Sequence, residues 1–134
     1  MNNANNANNA TLLTRKRLER LLRAIEAREQ VLRERVAARR DALEEASRPI
    51  DPAGDDADHA FERDRVTVEN DLLELHLAEL AGLAAARARA VEGVYGKCVD
   101  CGDPIGDARL AANLTARRCT DCQARHEKLF STLD

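Results

Sequence analysis

Two long stretches of helical apolar spacing, separated by a short segment carrying Pro49, Pro52 and Gly54, constrain this chain more than any other feature. From Leu18 the apolar residues fall at 18, 22, 25, 32, 36 and 43. These follow alternating steps of four and three once Glu29 and Arg39 take two of the seam positions, which is a heptad. Proline removes a backbone donor and restricts the residue before it, so the first helix must end ahead of Pro49. A second pattern runs from about Asp56 to Glu92. Its expected stripe is Val66, Leu73, Leu77, Leu80, Ala84 and Val91, widened by Val68, Leu72 and Leu75. Gly93 is the natural stop, and Arg87 and Arg89 suit the negative pole of the helix. Two stretches of about 35 residues, each near ~50 Å at the α-helical rise, have no third long helix to cover them. They are expected to pack as an antiparallel coiled-coil hairpin.

Composition agrees with an elongated architecture. Phe61, Tyr95 and Phe130 are the only aromatic residues, and 34% of the chain is charged, which leaves little to fill a spherical core. The expected organisation is an Asn/Ala tail at 1–11, too polar and featureless to order. A hairpin at 12–93 with its tip at 49–60, and a small C-terminal module at 94–134, follow it. The net charge is −3, which argues against general affinity for nucleic-acid phosphate. Its distribution is uneven. Residues 15–48 hold eleven Lys/Arg against seven Asp/Glu, whereas residues 49–79 hold two against ten. A basic flank and an acidic centre suit a partner with a defined electrostatic surface.

The C-terminal module holds all four cysteines: Cys98, Cys101, Cys119 and Cys122, two C-x2-C pairs seventeen residues apart. Each pair can turn two thiolates toward one point, and together they complete the tetrahedral sulfur shell of one structural zinc ion. All four positions are then filled by protein, so no water nucleophile can be held there. Two disulfides or a redox pair are the competing readings. The first twenty-five residues lack a basic segment followed by an apolar one, so nothing suggests export, and a cytoplasmic location is expected. With Ile105, Leu110 and Leu114 as its main apolar residues, the module is too small to fold by burial, and the metal must supply the difference. Gly102 lets the backbone fold close around the sulfurs. A short terminal helix is expected over Gln123 to Phe130, with His126 on its surface rather than on the metal.

At the hairpin tip stand Asp51, Asp55, Asp56 and Asp58. Asp55 and Asp58 are three apart at the start of the second helix and resemble a capping pair. Capping needs one or two carboxylates. Four of them suggest a cationic counterpart.

The tip Asp55-Asp56-Ala57-Asp58-His59-Ala60, the stretch Tyr95-Gly96-Lys97-Cys98-Val99-Asp100-Cys101-Gly102 and the later Arg109-Leu110 resemble the DksA/TraR zinc-finger proteins. The resemblance covers roughly residues 15–130. It implies a bacterial transcription regulator that binds RNA polymerase rather than DNA, with the hairpin entering the secondary channel. It also implies that Asp55 and Asp58 act near the polymerase active site, with Ala60 as the small neighbour that permits close approach. Family members that respond to guanosine tetraphosphate hold it with basic residues, and the positions that align here are Gly82, Asn113 and Gln123. None carries charge, so a weak or absent response is expected. Leu114 stands where a proline is common, from which a looser finger is expected.

The alternative is a structural zinc-finger interaction module with the hairpin as spacer, using the basic cluster Arg15, Lys16, Arg17, Arg20 and Arg23 as its contact surface. An enzyme is not expected, since no glycine-rich phosphate loop and no nucleophile paired with a base is present. A monomer, with no membrane partner and no sequence-specific nucleic acid, completes the expectation.

Overall fold

The computed structural model describes residues 13–49 and 54–131. The expected tail at 1–11, and Asp51 and Pro52 of the tip, lie outside the described residues. The described chain is helical: α1 (Arg15–Ala46), α2 (Asp56–Glu92), α3 (Asp107–Ala112) and α4 (Thr120–Ser131). Among the described residues the only extended pairing is an isolated antiparallel bridge between Lys97 and Pro104.

Helices α1 and α2 pack together. Two bidentate ion pairs give their direction: the Arg28 guanidinium binds the Glu79 carboxylate, with Nη2 to Oε1 at 2.8 Å, and Arg39 Nη1 lies 3.0 and 3.1 Å from the two Glu69 oxygens. Eleven residues forward on α1 correspond to ten backward on α2. The helices are therefore antiparallel, as the sequence predicts.

The chain divides into two compact units, one formed by Ala27–Ala81 and the other by the residues up to Glu26 together with those from Gly82 onward. Within Ala27–Ala81, Leu32 and Val36 are buried on α1, and so is Glu29. Arg39 is half-buried, so both polar residues assigned to the α1 seam occupy it. In the other unit, Leu21 and Ile25 of α1, Leu83 and Ala86 of α2, and Tyr95, Ile105, Leu110 and Ala116 form the core.

The phase of the α2 stripe differs from the expectation. Val66, Leu73 and Leu80 are partly covered, but Leu77, Ala84 and Val91 are exposed, and so are Val68 and Leu75. Glu69, His76 and Leu83 take the intervening positions instead. From each of the first residues the seam advances by three rather than four, which places His76 where the apolar count put Leu77, Leu83 where it put Ala84, and Glu69 at a position the count left out of the stripe. Burying most of Glu69 is tolerated because Arg39 meets it with two hydrogen bonds.

Helix α2 ends as Gly93 predicts. Gly93 has φ +79°, its N–H donates to the Ala90 carbonyl at 3.1 Å, and the Val94 N–H donates to that of Arg89 at 2.9 Å. This is the paired bonding that a left-handed glycine makes available at a helix C-terminus. The short α3 was not legible in the sequence. Arg17 of α1 meets Asp107 in its first turn at 3.0 Å.

Candidate metal centre and hairpin tip

The two cysteine pairs are brought together by backbone geometry that each creates locally. At the first pair, the Gly102 N–H donates to the Cys98 carbonyl at 3.0 Å and the Cys98 N–H donates to the Asp103 carbonyl at 2.7 Å. This closes a tight turn that requires φ +77° at Gly102, the role its sequence position suggested. At the second pair, Cys119 immediately precedes α4, and its sulfur accepts the Cys122 N–H at 3.5 Å. Thiolate charge is favoured at a helix N-terminus, where backbone N–H groups lack partners. The two turns are joined by the Val99 N–H donating to the Arg117 carbonyl at 2.9 Å and by Arg118 Nε on Asp100 Oδ2 at 2.8 Å.

All four Sγ atoms consequently lie within 4.8 Å of one another, with Cys101 and Cys119 3.9 Å apart. Zinc–sulfur bonds of about 2.3 Å in a tetrahedron require sulfur separations near ~3.8 Å, so this donor set fits zinc. No disulfide joins the cysteines, and sulfurs of the two pairs approach each other directly. The Asp103 N–H, 3.5 Å from Cys101 Sγ, supplies a further donor to the cluster.

The thiols differ sharply in acidity. Burial works to raise that of Cys98, but backbone donors of Cys101, Cys119 and Asp100 outweigh it and bring the thiol down to about 6. Cys122 is pushed up to about 12, first by its hydrogen bond with the Cys119 sulfur and then by burial. Four crowded thiols cannot all ionise alone. A bound dication removes that penalty, and the protein's part is to hold four sulfurs where one ion satisfies them.

Around this centre the end of α2 is locked by residues the sequence analysis did not single out for the task. The Tyr95 hydroxyl donates to the Leu114 carbonyl at 2.8 Å, Arg89 Nη2 donates to the Ala116 carbonyl at 3.2 Å, and the Arg89 guanidinium lies 5.9 Å from the Tyr95 ring centroid. Burial lowers the Arg89 pKa, reinforced by Arg117, and burial raises that of Tyr95 against the pull of Arg89. His126 is not in the sulfur cluster; its ring packs on Phe130 at 4.5 Å.

At the tip, Asp55 precedes α2 and its Oδ1 accepts the Asp58 N–H at 2.8 Å, so Asp55 is the N-cap. Asp55, Asp56, Asp58 and Ala60 are exposed. The structure thus assigns Asp55 a capping role and leaves the Asp58 carboxylate facing solvent.

Comparison with known proteins bears on both features. Residues 93–128 match the family described as the prokaryotic dksA/traR C4-type zinc finger. The solved structure of transcription factor DksA2 from Pseudomonas aeruginosa superposes with a TM-score of 0.81 at 27% identity, covering 91% of this chain and 92% of that one. Residues 93–128 are thus a finger of the DksA/TraR C4 type, in a chain whose fold is similar to that of DksA2. RNA polymerase-binding transcription factor DksA from two strains of Caulobacter vibrioides is 38% identical over 76 residues, covering 52% of this chain. The chain spans about half the length of the curated relatives it matches, 54% of each. As in the family's C4 fingers, the four cysteines hold one structural zinc.

Gly82, Asn113 and Gln123, the positions set against the nucleotide-holding residues by resemblance, have local roles in the structure. A Cβ on Gly82 would stand 3.1 Å from the Thr115 methyl, so the absent side chain lets α2 approach the finger closely. Thr115 Oγ1 in turn donates to Asn113 Oδ1 at 2.9 Å, and Gln123 binds Glu127 at 3.0 Å. These three positions are neutral and engaged in packing or local hydrogen bonds.

Proposed function

We propose that this chain is a bacterial, cytoplasmic transcription regulator, not an enzyme, that binds RNA polymerase through the secondary channel. In this reading Asp55, Asp58 and Ala60 at the hairpin tip act near the polymerase active site. The observation that carries it is the likeness to DksA2 across nine-tenths of both chains, together with the RNA polymerase-binding relatives. The exposed acidic tip supports it, because a channel leading to bound magnesium and basic residues favours carboxylates. The finger's part is structural: it holds the chain around α2's C-terminus. Guanosine tetraphosphate is expected to have weak or no effect, since the neutral Gly82, Asn113 and Gln123 offer no charge to phosphate. A large alarmone-dependent change in transcription, lost on mutating those positions, would refute that part.

The test is Asp55→Asn combined with Asp58→Asn in transcription from purified polymerase. Asparagine caps a helix about as well as aspartate, so the start of α2 is preserved while both charges go. Retained polymerase binding with loss of the transcriptional effect is expected. If binding and effect are both unchanged, the tip only caps a helix. The interaction-module alternative rests on Arg15, Lys16, Arg17, Arg20 and Arg23, which are exposed on α1. Competition with a known secondary-channel factor separates the two: mutual displacement is expected here, simultaneous binding in the alternative.

A further inference from the structure

Helix α2 carries a second amphipathic line that the packing with α1 does not use. Phe61, Val68 and Leu75 repeat at seven-residue intervals and are 70%, 55% and 65% exposed, the opposite of what their size favours. Asp64 and Asp71 fall between them, and the five residues follow steps of three and four along one side of the helix, about 21 Å from end to end at the helical rise. Neither aspartate takes part in an ion pair among the described residues. Glu74 joins Asp71 and Leu75 in lining a shallow groove beside the line. The residues that face α1 lie on the other side of α2, at Val66, Glu69, Leu73 and His76.

We propose that this outward line is a docking surface for a protein segment that presents apolar side chains flanked by lysine or arginine. Charge selects the occupant. Two copies of the line set face to face would oppose Asp64 and Asp71 to the same residues of the second copy, and an anionic membrane would repel them equally. A basic amphipathic segment covers the apolar side chains and answers both carboxylates. Its place in the strongly acidic stretch 49–79 favours attraction of such a partner from a distance. The inference rests on the polymerase reading, and it adds that affinity comes from the flank of α2 while the tip carboxylates supply the effect.

The test measures the affinity of whole RNA polymerase for four zinc-loaded proteins. These are the unaltered chain, the tip variant Asp55→Asn with Asp58→Asn, the triple variant Phe61→Gln, Val68→Gln and Leu75→Gln, and the charge variant Asp64→Lys with Asp71→Lys. Glutamine keeps the helix, and circular dichroism with zinc content verifies each fold. The triple variant is expected to bind about tenfold more weakly or worse, the charge variant to bind more weakly with a flattened salt dependence, and the tip variant to bind as the unaltered chain does. Equal binding by the triple variant and the unaltered chain overturns the docking surface and leaves the polymerase reading standing. No binding by the unaltered chain overturns both. A change in the solution mass of the triple variant alone assigns the line to a second copy of this chain and overturns the proposal.

Discussion

The unit containing the finger and the hairpin unit Ala27–Ala81 achieve order by different means, although the same two long helices contribute to both. In the hairpin unit, apolar burial is concentrated on Leu32 and Val36, and the register is set by Arg28 on Glu79 and Arg39 on Glu69. Around the finger, the loop from Gly93 to Asn113 contains one six-residue helix, and its ties include single backbone bonds, contacts of Arg17, Arg89, Arg109 and Arg118, the Tyr95 hydroxyl on Leu114 and the sulfur cluster. Long helices can spread a seam over many turns. A segment of about 36 residues without strands cannot, and four sulfurs on one ion replace the missing core. The metal therefore belongs to the finger's folding, and the hairpin's carboxylates stay available for other work.

The largest expected effect follows from removing one ligand. Cys122→Ser leaves three sulfurs, and structural zinc sites contribute on the order of 10 kcal/mol of apparent binding free energy. Zinc stoichiometry should fall well below one per chain, with the finger's amide resonances collapsing while most helical ellipticity remains. Next comes the seam. Leu83→Ala, at a position 1% exposed, should cost about 2–4 kcal/mol, whereas Leu77→Ala, at 39% exposure, should cost under about 1 kcal/mol. Urea unfolding of the two variants checks the phase of α2, and reversed magnitudes would restore the stripe expected from the sequence.

A smaller effect separates buried from exposed charge. Arg39→Ala strands the mostly covered Glu69 and should cost about 1–3 kcal/mol, with much of it recovered in Arg39→Leu combined with Glu69→Leu. Arg28→Ala should cost about 1 kcal/mol or less, because both partners of that bridge are more than one-third exposed. The smallest effect is in pH. Hydrogen bonding from Arg28, opposed by burial and aided by charge, holds the Glu79 carboxyl below its ordinary value. Its contribution is present above the unfolded carboxylate range, near about 4.3, and is lost as pH falls through the lower folded value. The unaltered chain should therefore lose slightly more stability on acidification through that window than Glu79→Gln does, measured by thermal unfolding.

These comparisons also explain what was legible in the sequence. The bounds of α2 were readable because Pro49, Pro52, Gly54 and Gly93 act through local backbone chemistry, and the metal ligands because C-x2-C turns are local too. The phase of the α2 seam was not, since leucines and alanines stand at both three- and four-residue steps. The choice between them is made by Arg39, thirty residues from Glu69. Arg89 and Tyr95 were visible as a helix-end cation and a motif residue, but their grip on Leu114 and Ala116 is a long-range fact. Tyr95 binds the carbonyl of Leu114, so the finger has a tie where a looser finger was expected.

Amide hydrogen exchange on the full chain, zinc-loaded and then chelated, most directly separates the two kinds of order. Chelation is predicted to raise exchange by orders of magnitude over 93–128 while the seam amides around Leu32, Val36 and Leu73 keep their protection. Equal loss of protection in both regions would contradict the account, because the metal would then be holding the hairpin as well as the finger.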